Sequence, residues 1–333
     1  MTSPHGPAGG DPAPPSADPY RPYKKGYTAP AQLREAIKAA HRTSLWRTTA
    51  CAAIDHLVAI GLAVGAARAW TALPPAIAAP VTVVALAGIA RQQRAVENLV
   101  HEGSHYNWSR HHRRANDLLA YVLAALPVGQ RLRSYRDSHL RHHSRFGALD
   151  DPDRRRYEEL RIEDITRGTL PHFARELVVR LPRYQYGWLK ELRSDATALL
   201  GPSVWSVCVV TVPTCLVAGT RTGITAGVVW LTALLLVLPA LRFVSEADEH
   251  VYTDSTTVFD ATVTNTGRLQ RLLFHPHADG YHTVHHMWPG IPHHRLARVH
   301  RRLMAEDPAF AARIRTRTAV LAPASAARPG RAA

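Results

Sequence analysis

The sequence predicts an all-α integral membrane protein: four transmembrane helices in two hairpins, with a helical cytoplasmic cap that holds a histidine-rich site for two metal ions. Three observations carry that expectation. There are four long stretches nearly free of charge, they are spaced as two closely joined pairs, and nine histidines fall in four patterned positions outside them.

Between Arg47 and Arg68 only Asp55 is charged, and Leu73–Ala90, Ala196–Thr220 and Thr222–Leu241 carry no charge at all. A hydrocarbon core of about 30 Å takes roughly 20 helical residues at about 1.5 Å each, so every stretch can cross it. Buried helices of a soluble protein usually keep a polar face, and these have none. Spans are expected at about 48–67, 73–90, 203–220 and 222–241. The first pair is joined through Pro74 and Pro75 and the second across Arg221, so both turns lie on one side. Of the 41 Lys and Arg residues only Arg68 and Arg221 fall there. The positive-inside rule makes the opposite side, with both termini and the cap, cytoplasmic.

The rest of the chain follows from these anchors. Residues 1–27 read as a Pro-rich disordered tail, residues 28–316 as the membrane domain, and the Ala/Pro/Arg-rich residues 317–333 as a second disordered tail. The first span lacks a cleavage-like site and reads as an anchor, not a signal peptide. Residues 28–46 are expected as an amphipathic entry helix. Residues 91–117 continue the second span as a helix, Asp117–Val128 is an apolar stretch too short to cross, and residues 130–195 and 242–316 are cytoplasmic. Cys51, Cys208 and Cys215 all lie in apolar stretches, which excludes a disulfide framework and thiolate ligation and leaves three buried thiols.

A net charge of +15 raises nucleic acid as a partner, but no nucleic-acid-binding signature accompanies it. Arg-rich segments such as Arg131–Arg145 and Asp153–Arg156 suit a membrane surface better. There each basic residue contributes about 1 kcal/mol with anionic lipid. They would also attract a phosphate-bearing substrate carrier.

The chemistry lies in the histidines. Of 20, nine are patterned: His101-Glu-Gly-Ser-His105, His139-Leu-Arg-His142-His143, His282-Thr-Val-His285-His286, and His250 at the end of Ser245-Glu-Ala-Asp-Glu-His250. Positions i, i+3 and i+4 share a helix face, so each box aims two or three imidazoles at one point. If the second and fourth spans run on as helices, His101 lies 11 residues past Ala90 and His250 lies 9 past Leu241. Both then stand roughly 13 to 17 Å above the membrane end. Nine imidazoles exceed the four to six ligands of one ion, so two ions are expected.

The order of these boxes, interleaved with two transmembrane hairpins, resembles the membrane fatty acid desaturase and hydroxylase superfamily over about residues 45–300. The segment Tyr281-His-Thr-Val-His-His-Met-Trp-Pro-Gly-Ile-Pro292 is similar to that family's third box, and Asp150-Asp-Pro-Asp153 also fits. The resemblance implies two irons held by His101, His105, His139, His142, His143, His250, His282, His285 and His286. It implies O2 as co-substrate and an aliphatic chain whose unactivated C–H bond is oxidised with two external electrons. Glu246 is a departure: it lies four residues before His250, where similar acyl-CoA desaturases carry asparagine, and reads as either a further ligand or a solvated acid. Glu102, Asp137 and Asp151 are candidate partners for imidazole N–H groups. Desaturation and hydroxylation share the first hydrogen abstraction, so both stay open. So do an acyl thioester, a glycerolipid, a free acid and a carotenoid-like isoprenoid as substrate.

Two other classes compete. His101-Glu102-x-x-His105 fits the HExxH zinc-protease motif, with Glu102 as general base, but leaves the other boxes unexplained. A metal transporter would place its ligands within the spans. His111, His112, His275, His277, His293 and His294 read as surface or supporting residues, and Asp55-His56 as a structural pair inside the first span. The chain shows no haem, dinucleotide or iron–sulfur motif, so electrons are expected from a partner, a ferredoxin or a cytochrome with its reductase. An acidic donor would suit the basic face.

Overall fold

The computed structural model describes residues 18–193 and 196–326. Four helices are long and apolar enough to cross a membrane: α2 (Leu45–Ala72), α3 (Pro75–Ser104), α8 (Leu200–Ala218) and α9 (Thr220–Ala247). The entry segment is α1 (Ala31–Ala40), separated from α2 by a turn in which the Ser44 hydroxyl accepts from the Arg47 N–H.

The spans are packed inside out relative to a soluble helix. In α2 the inward face is Ala52, Ala59, Ala63 and Ala66, while Ile54, Leu57 and Val58 point outward. Small residues let the helices approach closely, and the large apolar side chains are left for lipid. Where α9 meets α8, a Cβ at Gly227 would run into the Thr211 hydroxyl and one at Gly223 into the Cys215 sulfur. Both spans contain a wide π-helical turn, Ser206–Thr211 and Ala233–Val237, just before Pro213 and Pro239. A proline ring clashes with the carbonyl four residues back, and a widened turn relieves it. None of the three thiols expected to be buried is so: Cys208 is exposed on α8, and Cys51 and Cys215 are half-buried.

The second span ends earlier than the sequence suggested. The α3 helix stops at Ser104, where His105 caps it and Tyr106 takes the left-handed conformation (φ 58°). Gly103, Ser104 and Asn107 are poor helix formers there. The chain then turns into α4 (Arg113–Ala120), whose continuation packs Ala124, Ala125 and Val128 against the spans. Beyond it come α5 (Leu132–Arg145), α6 (Pro152–Leu160) and α7 (Leu170–Leu192).

After α9 the chain is less helical than expected. Strand β1 (Val263–Asn265) pairs in parallel with β2 (Arg315–Arg317), which pairs antiparallel with β3 (Ser325–Ala326). Helices α10 (His282–Met287) and α11 (His293–Glu306) lie between β1 and β2. Both predicted tails reach into ordered structure. Tyr23 and Tyr27 pack on the cap core, and Tyr27 stacks on Phe259 with ring centres 4.9 Å apart. At the other end Arg317 bonds buried Asp248 at 2.8 Å. Aromatic area and a buried ion pair hold these segments although their flanks are polar. The parts of the predicted tails at 1–17 and 327–333 lie outside the described residues.

Candidate metal centre

Two cores stack along the molecule: an alanine-rich one among the spans, and an aromatic one in the cap containing Phe146, Tyr157, Phe243, Phe259 and Phe310. The nine patterned histidines meet where α3, α5 and α10 converge. His101 is in the last turn of α3 and His105 caps it, His139, His142 and His143 lie on α5, and His282, His285 and His286 on α10. His250 is not on a continued helix, as α9 stops at Ala247 and His250 is extended, bridged to Thr262.

The imidazoles fall into two groups. In the first, the donor atoms of His101, His105, His139, His143 and His285 lie within 4.8 Å of one another. Their Nε2 atoms form a chain: His105 to His139 at 2.9 Å, His139 to His143 at 3.1 Å, His143 to His285 at 3.0 Å and His285 to His101 at 3.0 Å. In the second, His250 Nε2 is 3.0 Å from His282 and 3.3 Å from His286, and His142 joins them. Boxes two and three each serve both groups. At i and i+4 they supply one group, and their middle histidine, His142 or His285, turns to the other.

These separations fit metal ions. Two adjacent ligands at bond lengths of about 2.1 Å and right angles stand about 3 Å apart. Without a cation, five Nε2 atoms facing one another would crowd lone pairs together. The protonation states agree with ligation, which requires neutral imidazole. Burial and neighbouring imidazoles hold His105, His139, His143, His250, His285 and His286 well below their usual range. Burial, partly opposed by Asp279, pushes His282 down to about 3.

His142 is the exception. Burial would lower it, but Asp153 and Asp151 outweigh that and raise it. Its Nδ1 donates to Asp151 Oδ1 at 2.8 Å, leaving the buried Nε2 without a hydrogen-bond partner. Asp151 also accepts from the Gly147 and Asp153 N–H groups, so the Asp-Pro-Asp segment caps α6 and orients an imidazole together.

Several sequence expectations change here. Glu246 belongs to none of the histidine groups among the described residues: its carboxylate pairs with Arg156 at 3.2 Å and accepts from the Tyr184 hydroxyl at 2.8 Å. Because the helix ends between them, Glu246 and His250 do not share a face, and Glu249 turns toward His250 and His282 instead. Asp137 is exposed on the outer side of α5. Glu102 is buried but accepts from the His293 N–H at 2.7 Å, tying down the start of α11. Asp55 and His56 do not pair with each other: Asp55 bonds His277 at 2.7 Å, and His56 Nε2 bonds the Leu123 carbonyl at 2.7 Å. Of the two readings offered for His275 and His293, burial selects the supporting one, and His275 is held by Ser245 and Asp279. Tyr135, stacked on His139 at 5.5 Å, carried no signal in the sequence, whereas Glu249 could have been suspected from its place beside His250.

A cavity of about 680 Å³ runs from the cluster past Tyr135, Tyr157, Tyr184 and Trp188 toward Arg131 and Arg183.

Residues 74–318 match the family described as fatty acid desaturase. The chain belongs to that family. The match begins at the α2–α3 turn, so the first span lies before it. Among curated proteins none matches the chain closely enough to count as a relative. Membership of the desaturase family makes the chain a desaturase- or hydroxylase-type oxidoreductase and gives the histidine groups and apolar helices a common purpose. It leaves the zinc-protease reading without support, and Glu102, committed to α11, is not placed as a base.

Proposed function

We propose that this desaturase-family protein is an O2-dependent, non-haem di-iron oxidoreductase that desaturates a fatty acyl or related lipid chain at the membrane surface. One observation carries the reading: five histidines gather in one group and the other four link to one another through His250 and His286 beside it, with donor separations suited to two adjacent ions. His101, His105, His139, His143 and His285 would hold one iron, and His142, His250, His282 and His286 the other. Two irons, O2 and two external electrons supply an oxidant for an unactivated C–H bond. In desaturation the chain loses two hydrogens, and O2 with two electrons and two protons leaves as two waters.

The chain's own residues position and exclude. The cap core packs against the centre on one side, and the cavity that reaches the histidines gives a substrate its approach. The four spans act as two hairpins, with the cap and both termini cytoplasmic, because the basic residues gather on that side. Electrons come from a separate ferredoxin or cytochrome with its reductase, docking on the basic face. The membrane domain extends beyond residues 28–316 at both ends, taking in Tyr23 and Tyr27 before it and Arg317 after it.

Hydroxylation on the same centre is the second reading, and the cavity walls favour a substrate that is polar near the reacting carbon. Tyrosines and paired charges such as Arg94 with Asp279 (3.0 Å) line it beside Leu160, Pro152 and Trp188. Mass spectrometry of lipids from cells expressing wild type or His286→Ala tests the proposal. A lipid two hydrogens lighter, present only with wild type, is expected. A product one oxygen heavier would select hydroxylation, and identical lipid profiles would overturn both.

A further inference from the structure

We infer that Glu249 is a ligand of the second metal, the fifth beside His142, His250, His282 and His286, and that it makes the two ions chemically unequal. The inference rests on the two-metal reading above. The first group has five imidazoles and no carboxylate, whereas the other four patterned histidines fall in two triads that share His250, one of His142, His250 and His286 and one of Glu249, His250 and His282, with His282 Nε2 3.0 Å from His286 Nε2. Glu249 thus adds a carboxylate to the second set. One of its carboxylate oxygens lies within 4.8 Å of the His250 and His282 donors, and Oε2 is 4.0 Å from His282 Nε2. Ligands on opposite sides of one ion, at bond lengths of about 2.1 Å, stand about 4.2 Å apart.

The local fold aims the side chain. The α9 helix ends at Ala247, and the turn after it brings Glu249 round to the cluster. On the far side Oε1 is met by the Ser245 hydroxyl at 3.4 Å and Arg94 at 3.9 Å, which leaves Oε2 toward the imidazoles. The other carboxylates nearby are otherwise engaged. Glu246 is tied to Arg156 and Tyr184, Asp279 to Arg94, and Asp153, although 3.6 Å from His142 Nε2, shares no common donor group with the histidines among the described residues.

A carboxylate adds negative charge that a neutral imidazole does not, so it favours the ferric state at the second site. The first site keeps five neutral ligands. When the pair is half oxidised, the ferric ion should therefore reside beside Glu249.

Full-length protein, purified in detergent with Mössbauer-active iron, tests this by iron content and spectrum. Wild type should hold two irons giving two distinct quadrupole doublets of equal area. Glu249→Gln should bind one of the two irons at least about 10-fold more weakly and lose or shift one doublet. Glu249→His should restore two irons with an altered doublet, and Glu246→Gln should match wild type. Two irons and an unchanged spectrum in Glu249→Gln would overturn the inference alone. Should that variant fail to fold, a wild-type spectrum with a single doublet for both irons would overturn it equally. Wild type without two irons would instead remove the di-iron reading itself.

Discussion

Asp151 accepts the Nδ1 proton of His142 at 2.8 Å and, on the same oxygen, the Asp153 N–H at 3.0 Å, so one carboxylate fixes both an imidazole and the start of α6. The charge favours the tautomer that leaves Nε2 free for metal. Asp151→Ala is expected to weaken iron binding by about 10- to 100-fold and to cost about 1 kcal/mol through the lost cap. Asp151→Asn keeps an acceptor and should fall between. Iron retained against graded chelator, read beside thermal unfolding, checks this, and a wild-type chelator curve for Asp151→Ala would contradict it.

His143 and His286 stand in different groups, which gives the two-metal reading a stoichiometric test. Each substitution to Ala should abolish oxidised product and lower iron from about two per chain, one site at a time. Glu102→Gln should leave iron bound and activity measurable, because the amide oxygen can still accept from the His293 N–H. Inactivity of Glu102→Gln, with both histidine variants active, would reverse the assignment.

What the sequence revealed, and what it hid, divides along one physical line. The histidine boxes were legible because i, i+4 spacing is a local property of a helix, and the spans because charge-free length is local too. Glu246 misled because its apparent partnership with His250 assumed a helix that ends at Ala247. Asp55 misled for the opposite reason: its partner, His277, is 222 residues away. The short strands β1 and β2 were equally hidden, since three residues each carry no periodicity and their pairing joins segments far apart. Tyr23 and Tyr27 sit in a segment whose composition reads as tail, and only the aromatic pocket around Phe259 reveals their role.

The α8–α9 contact gives a packing test. Gly223 and Gly227 are four residues apart on the α9 face that meets Cys215 and Thr211. Gly227→Leu should force the spans apart, destabilising the protein by about 1 to 3 kcal/mol. Gly219→Ala should cost less from crowding, as nothing stands near its Cβ position, though its φ of 90° adds backbone strain. Thermal unfolding in detergent checks the ranking, and a neutral Gly227→Leu would mean that α8 and α9 are not tightly packed there.

Topology yields a prediction independent of chemistry. Tags at residues 1 and 333 should be shielded from outside intact cells, while a tag beside Arg221 should be reachable. External labelling of either terminus would refute the two-hairpin arrangement.

The last prediction concerns pH and the pair formed by His277 and Asp55. Burial would lower His277, but its hydrogen bonds to Asp55 and Cys51 raise it to about 9. The surrounding charged groups are Asp55 on α2, Arg91, 4.0 Å from Asp55, and Glu102 on α3, and His293 on α11 with its ring 5.1 Å away. A histidine raised from 6.5 to about 9 is protonated when folded and neutral when unfolded across that window. Its stabilisation, on the order of 3 kcal/mol, is therefore complete below about pH 6.5 and is lost as pH rises through 9. Thermal unfolding of wild type in detergent should fall between pH 6.5 and 9. His277→Gln, which cannot be protonated, should be less stable at pH 6 and nearly flat across the same window. Parallel curves for the two proteins would show that the stability loss arises elsewhere.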